Sequence, residues 1–266
     1  MRIVVALALL SALFILGPLL IVVPMSFSTA KSFAFPPPDY WLGYYRAFFA
    51  DIRWTQPVIN SVLIALATML LTMALVIPAS FAMVRQRFLG RSAMNLLLMM
   101  PMIVPHIVMA LGYYSYFGHL KIIHSPLGVV LAHTCLSVPV CYLIIAAALK
   151  GFDRNLERAA MNLGASPLRT FWEVTFPVLR PGFLVGGLFA FIHSFDEAVV
   201  AIFISGQAAS TLPRKMFDSI RIEADPIVSV VSTLLFAAVL LAVLSPLLWR
   251  AISNTRRQVQ SGTATA

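Results

Sequence analysis

The feature that most restricts how this chain can fold is a series of apolar runs, each near the length of a bilayer crossing and each closed by a short polar break. Six such runs lie at about 3–23, 57–84, 92–117, 127–149, 183–204 and 226–249. A helix needs ~20 consecutive apolar residues to span the hydrocarbon core. Inside that core a helix satisfies its own backbone hydrogen bonds. The sequence therefore predicts an all-α membrane protein with six transmembrane helices. Composition agrees: 60% of the residues are apolar and 11% are charged, against roughly 25% charged in a typical soluble domain. The expected organisation is one transmembrane domain over 1–266. Within it, 1–56 form a first anchor helix and a periplasmic connector, 57–250 a five-helix core, and 251–266 a cytoplasmic tail.

The first run could be read as a secretory signal, with Ser28-Thr29-Ala30 as the cleavage site. A signal h-region spans only ~7–15 residues, so an uncleaved anchor is the better reading. The connector that follows contains Phe35-Pro36-Pro37-Pro38, Trp41, Tyr44, Tyr45 and Trp54. Its prolines favour an extended strap and its aromatics suit the membrane interface.

A formal charge of +9 would suit nucleic acid were it not for where the charges fall. Six spans put both termini on one side. That side collects most of the 19 Lys and Arg residues, among them Arg2, Arg85, Arg87, Arg91, Lys150, Arg154, Arg158, Arg169, Arg180 and the C-terminal arginines. The positive-inside rule makes that side cytoplasmic, so topology accounts for the excess and no nucleic-acid partner is expected. Cys135 and Cys141 fall within one apolar run on different helix faces, which argues against a disulfide or a metal pair. No cofactor or metal site is expected.

The longest polar break, 153–182, reads as two short helices. Asp153 can cap the first, in which Leu156, Ala159, Ala160 and Leu163 share one face. Gly164 ends it in the left-handed conformation. Ser166-Pro167 starts the second, and Pro177 and Pro181 are expected to close it. The stretch resembles the EAA loop of ABC-importer permeases: Glu-Ala-Ala, three residues, Gly, nine residues, Ile, one residue, Leu-Pro. Here Arg158-Ala159-Ala160, Gly164, Val174, Phe176 and Pro177 occupy those positions. Arg158 stands where the pattern has glutamate, with Glu157 one place earlier.

In the fifth run, His193-Ser194-Phe195-Asp196-Glu197 places two carboxylates in an apolar span. Such groups usually face a bundle interior or a wet cavity. His193 and Glu197 are expected to pair at i, i+4. Two roles stay open: a buried network that fixes packing or gating, and a cation pathway. Gly182, Gly186 and Gly187 predict close helix contact. His106, His119, His124 and His133 have no metal-ligand spacing. A hydrolase built from His193, Ser194 and Asp196 is disfavoured, because sequence neighbours splay around a helix. A stand-alone secondary carrier is disfavoured by the lack of an internal repeat. The chain carries no phosphate-binding GxxxxGK[ST] loop, so ATP would have to be bound by another chain.

The resemblance extends over most of the chain and narrows to permeases of spermidine/putrescine importers, through Phe35-Pro36-Pro37-Pro38, Asn60-Ser61, Met102-Ile103-Val104-Pro105, Ser194-Phe195-Asp196-Glu197 and Thr211-Leu212-Pro213. It implies a non-enzymatic transport subunit in a bacterial inner membrane, with cytoplasmic termini and a type I importer architecture. The implied partners are two ABC ATPase subunits, a second, non-identical permease, a periplasmic solute-binding protein and membrane lipid. Glu157, Arg158, Ala159, Ala160, Gly164 and Pro177 would couple to the ATPase, and His193, Asp196 and Glu197 would line or gate the solute path. Related permeases for aminoethylphosphonate, opines or amino-acid-like solutes look similar.

Overall fold

The structure, a computed structural model, describes residues 2–222 and 224–262. Its helices in chain order are α1 (Arg2–Ser26), α2 (Gly43–Ala50), α3 (Ile52–Arg85), α4 (Arg91–Ile103), α5 (His106–His119), α6 (Pro126–Lys150), α7 (Asn155–Asn162), α8 (Pro167–Thr170), a π-turn (Phe171–Thr175), α9 (Phe176–Asp196), α10 (Val199–Ile204), α11 (Leu212–Ile222) and α12 (Ile227–Gly262). Among the described residues, five helical stretches are long and apolar enough to cross a membrane, or six if the bent pair α4 and α5 counts as one span. No strand occurs among the described residues; Ser28 and Tyr40 form an isolated bridge. The residues fall into two compact units, 1–52 with 218–266, and 53–217.

In the first unit α1 packs along α12. Most of the described side chains of α1 are exposed, with Leu13 and Phe14 at the surface, as a lipid-facing helix requires. The connector folds back on itself rather than hanging free. The Trp41 Nε1–H donates to the Ser28 carbonyl at 2.8 Å, and the Tyr44 hydroxyl donates to Ala30 O at 2.8 Å.

In the second unit α6 is the axis. A helix that is apolar on every side belongs in a core, and Val129, Ala132, Cys141 and Ile145 of α6 are fully buried. α3 and α9 close one half of this core with Val76, Met83, Leu179 and Phe183. α5 and α10 close the other with Ala110, Phe117, Val200 and Ile204. The buried face of α3 is largely small and hydroxylated: Ser61, Ala65, Thr68, Thr72 and Ser80, which lets helices approach closely.

The expected glycine contact is present between α9 and α6. A Cβ on Gly182 would lie 2.7 Å from the Ala148 Cβ, and one on Gly186 3.3 Å from Ile145 Cγ1. Gly182→Val should therefore lower the thermal unfolding midpoint of the detergent-solubilised protein, since overpacking costs ~1–3 kcal/mol. An unchanged midpoint would mean that α6 and α9 are not held at this distance.

Two spans depart from the sequence expectation. The third run is not one helix: α4 and α5 meet at 103°. Val104 is extended (φ −79°, ψ 130°), the conformation a following proline favours, and Pro105 brings no N–H to continue the ladder. Pro177 and Pro181 do not close the second hairpin helix. The helix runs from Pro167 into the fifth span and reaches Asp196. The π-turn absorbs the strain: the Phe176 N–H reaches back to Phe171 O, five residues rather than four, and this widened turn accommodates a proline at 177. The fifth span then breaks at Glu197, which is extended (φ −73°, ψ 106°).

Candidate functional site

Arg154, not Asp153, holds the N-cap position of α7, but Asp153 just before it does accept a first-turn donor, the Asn155 N–H, on Oδ1 at 2.9 Å. α7 ends in paired reverse bonds, Ala165 N to Ala160 O at 3.1 Å and Gly164 N to Met161 O at 3.0 Å. That geometry requires a left-handed residue, and Gly164 supplies it at φ +90°. Ser166 caps α8 by accepting the Arg169 N–H at 3.3 Å, with Pro167 in the first turn.

Which side of α7 faces inward is the reverse of what an amphipathic pattern suggests. Of the expected apolar stripe, Leu156 is 45% and Leu163 90% exposed, Ala159 is exposed and Ala160 half-buried. Glu157 is the buried residue of the helix, at 9%. Met161, Leu168 and Trp172 are also exposed. The hairpin thus presents apolar side chains outward, beside exposed Arg158, and turns its carboxylate in. Pro177 lies in the first turn of α9 and is exposed.

The inward carboxylate is fully engaged. Arg85, the last residue of α3, donates Nη2–H to Glu157 Oε1 at 2.8 Å and Nη1–H to Oε2 at 3.0 Å. The Thr175 hydroxyl of the π-turn also donates to Oε1. The guanidinium stacks over Phe81, 4.6 Å from the ring centroid, a cation–π arrangement. Burial pushes the Glu157 carboxyl up, but the Thr175 and Arg85 hydrogen bonds and the Arg85 and Arg154 charges outweigh it and hold the group below its ordinary value. A lowered folded pKa adds stability that is present above the ordinary glutamate range (~4.3) and is lost as pH falls through the lowered value. Amide exchange protection of α7, corrected for intrinsic rates, should stay level between pH 8 and 5 and fall below about 4. Glu157→Gln should remove that acid step.

The two helix breaks face each other. Glu197 Oε2 lies 3.1 Å from Nδ1 of His106, the residue that follows the Pro105 break. Glu197 Oε1 accepts the Val200 N–H at 3.0 Å and so caps the restarted helix α10. Glu197 is 6% exposed. The expected His193–Glu197 pair does not form, because the helix ends before Glu197 and its side chain leaves the face of His193. His193 Nδ1 instead stands 3.5 Å from Ser137 Oγ. Asp196 is exposed and makes no side-chain hydrogen bond or ion pair with the described residues. Beneath the break, Ser194 Oγ lies 2.9 Å from His133 Nδ1 and donates to Thr68 Oγ1 at 3.3 Å. This commits Ser194 away from His193 and Asp196, against a hydrolytic arrangement.

Sequence reasoning took His106 and His133 only as loop or pore-lining polar groups and Arg85 only as a cytoplasmic-side charge, and it passed over Thr68. The signals available were the His after Pro105 and the Ser/Thr spacing along α3; nothing local marked Arg85. The motif fragments do assemble in pairs. Ser61 Oγ accepts the Leu212 N–H at 2.8 Å, and Asn60 Nδ2 donates to Ser210 O at 3.0 Å. Asn60-Ser61 therefore meets Thr211-Leu212-Pro213, while the break after 102–105 meets the one after 194–196.

Broken spans around a buried polar cluster, with a hairpin whose apolar side faces away from its own core, are what a transport subunit driven from outside the bilayer requires. Residues 74–258 match the family described as binding-protein-dependent transport system inner membrane component, and the chain belongs to that family. It is a multi-pass inner-membrane permease subunit of an ABC importer. Among its relatives are the putrescine transport system permease protein PotI of Escherichia coli (strain K12), 28% identical over 96% of this chain and 92% of the relative, and the spermidine/putrescine transport system permease protein PotC of Haemophilus influenzae, 31% identical over 79% of this chain and 84% of the relative. Among solved structures, a bacterial ABC transporter involved in the import of the acidic polysaccharide alginate has the same fold, with a TM-score of 0.70 at 15% identity over 94% of this chain and 95% of that one.

Proposed function

We propose that this permease carries a small cationic solute of the polyamine class into the cytoplasm, by alternating access driven by two partner ATPase subunits. A second, non-identical permease completes the path, a periplasmic binding protein delivers the solute, and the whole chain acts as one transmembrane domain with both termini cytoplasmic. The observation that carries the solute class is Asp196: an exposed carboxylate beside a helix break that makes no side-chain hydrogen bond or ion pair with the described residues, in a chain among whose relatives are permeases named for putrescine and spermidine. Glu197 is already occupied by His106 and by α10, so its role is to hold the break, and His193 lies alongside. The fold by itself does not choose the solute's charge, since the same architecture serves a transporter of an acidic polysaccharide.

The hairpin supports the coupling half of the proposal. Gly164, Ala159 and Ala160 allow a close approach, Leu156 and Leu163 offer apolar contact, and Arg158 offers a charge. Closure of the ATPases would press on α7. Because the helical path continues from α8 through the π-turn and Pro177 into α9, a push on the hairpin acts directly on the span that ends at Asp196.

Co-purification with its membrane neighbours, followed by a screen for solutes that stimulate ATP hydrolysis, tests this reading. Putrescine or spermidine should stimulate, and Asp196→Asn should weaken stimulation by diamine. Stimulation by aminoethylphosphonate, an opine or a neutral amino acid, with none by diamines, would assign the same machine to a different solute.

A further inference from the structure

We infer that Arg85 is a positioning residue of the transport cycle: through its two-pronged bond to Glu157 it ties the coupling hairpin to α3, so that α3 moves with the hairpin. This deepens the coupling role proposed above and rests on it. α7 packs against the π-turn and α8, which join it to α9. Toward α3 the hairpin leaves a cavity of about 300 Å³, lined by Phe81, Arg85, Glu157, Met161, Phe171 and Thr175 among others. Across that gap the two are linked by the Arg85–Glu157 pair and by the Phe81–Phe171 ring contact.

The geometry suits a strut. A guanidinium and a carboxylate joined by two parallel bonds fix direction as well as distance. The Arg85 side chain is 18% exposed and that of Glu157 12%. Phe81 and Phe152 lie under the guanidinium at 4.6 and 5.7 Å, so the arginine is held from its own helix and from the segment just beyond α6. Thr175 fixes the same carboxylate from the α9 side. Glu157 thus joins the ends of two spans at one point. α3 is a continuous helix from Ile52 to Arg85, and its Thr68 bonds Ser194, two residues before Asp196. At 1.5 Å per residue, Thr68 lies roughly 25 Å along α3 from Arg85. A displacement of α7 would therefore reach the polar cluster by two routes, through α9 and through α3. On this account Glu157 works inside the subunit, and Arg158 is among the exposed charges left for an ATPase to meet.

The test is a double-mutant cycle on the full importer in proteoliposomes, with Arg85→Gln, Glu157→Gln and the double variant. Spatial adjacency does not establish coupling, whereas non-additivity does. Each single change should lower solute uptake at least ~10-fold and bring the ratio of solute-stimulated to basal ATP hydrolysis toward one. The double variant should be no worse than either single. Arg85→Lys, which keeps the charge and loses the fork, should recover only part of the ratio. Wild-type ratios in the single variants, or losses that multiply in the double, would overturn the strut. Amide exchange of α7 in the membrane-embedded complex gives a second readout that does not depend on transport. Arg85→Gln should raise it, and unchanged exchange would also overturn the strut. A wild-type complex without ATP-driven uptake would instead remove the importer reading, leaving the exchange result to decide the tie alone.

Discussion

Gly164→Val will abolish solute uptake while leaving the protein in the membrane at normal abundance. The Gly164 backbone sits at φ +90°, where an L-residue pays ~1–2 kcal/mol and a β-branched one pays more. Valine would unwind the paired reverse bonds from Ala165 and Gly164 to Ala160 and Met161 and redirect the exposed end of α7. A clash inside the chain is not the cause, because a Cβ at this position meets nothing within 4 Å. Gly164→Asn separates the two remaining causes, since asparagine tolerates the left-handed region and still adds bulk. Recovery of uptake with asparagine assigns the loss to the turn; continued failure assigns it to a partner surface that must come close. Full uptake by the valine variant would remove the hairpin from the coupling role.

Glu197→Ala will both destabilise the protein and stop transport. The carboxylate is buried, caps α10 through the Val200 N–H, and holds His106 across the two breaks. Truncation strands a buried N–H and the imidazole, at a cost of about 1–3 kcal/mol. Thermal unfolding of the solubilised protein should shift down by several degrees. Glu197→Gln keeps an acceptor for Val200 and a group for His106, and should recover most of the midpoint. An alanine variant as stable as wild type would show that the break is held by packing alone. Stability restored by glutamine without recovery of uptake would show that the charge itself is needed.

Much of the architecture could be read without coordinates. Run length fixed the helical, membrane-spanning type of the fold and brought the number of spans to five or six, because hydrocarbon leaves a chain few ways to satisfy its backbone. Gly164 and Ser166-Pro167 announced their turn and cap because both are local effects of φ and of one side-chain oxygen. The glycines of α9 announced a close neighbour without saying which helix it was. Where the reading failed, the deciding terms were not local. Pro105 and Pro177 look alike in sequence, yet one breaks a span by 103° and the other lies in a continuous helix. The difference is the π-turn before Pro177, whose Thr175 and Phe171 have partners in the fold.

The site shows the same division. That carboxylates in the fifth span mattered was evident from the cost of placing them in hydrocarbon. Their assignments were not, because i, i+4 pairing presumes a helix that in fact ends at Asp196. The amphipathic pattern of α7 identified a face but not its direction, because periodicity says only that two sides differ. It took Arg85, 72 positions upstream, to turn Glu157 inward and leave Leu156 and Leu163 outside. The sequence by itself determined a helical membrane protein with a hairpin between its spans, since burial, backbone satisfaction and turn chemistry act over a few residues. Only the tertiary structure decided which charges are paired within the subunit and which stay exposed, because an ion pair is set by distance in space and not by separation along the chain.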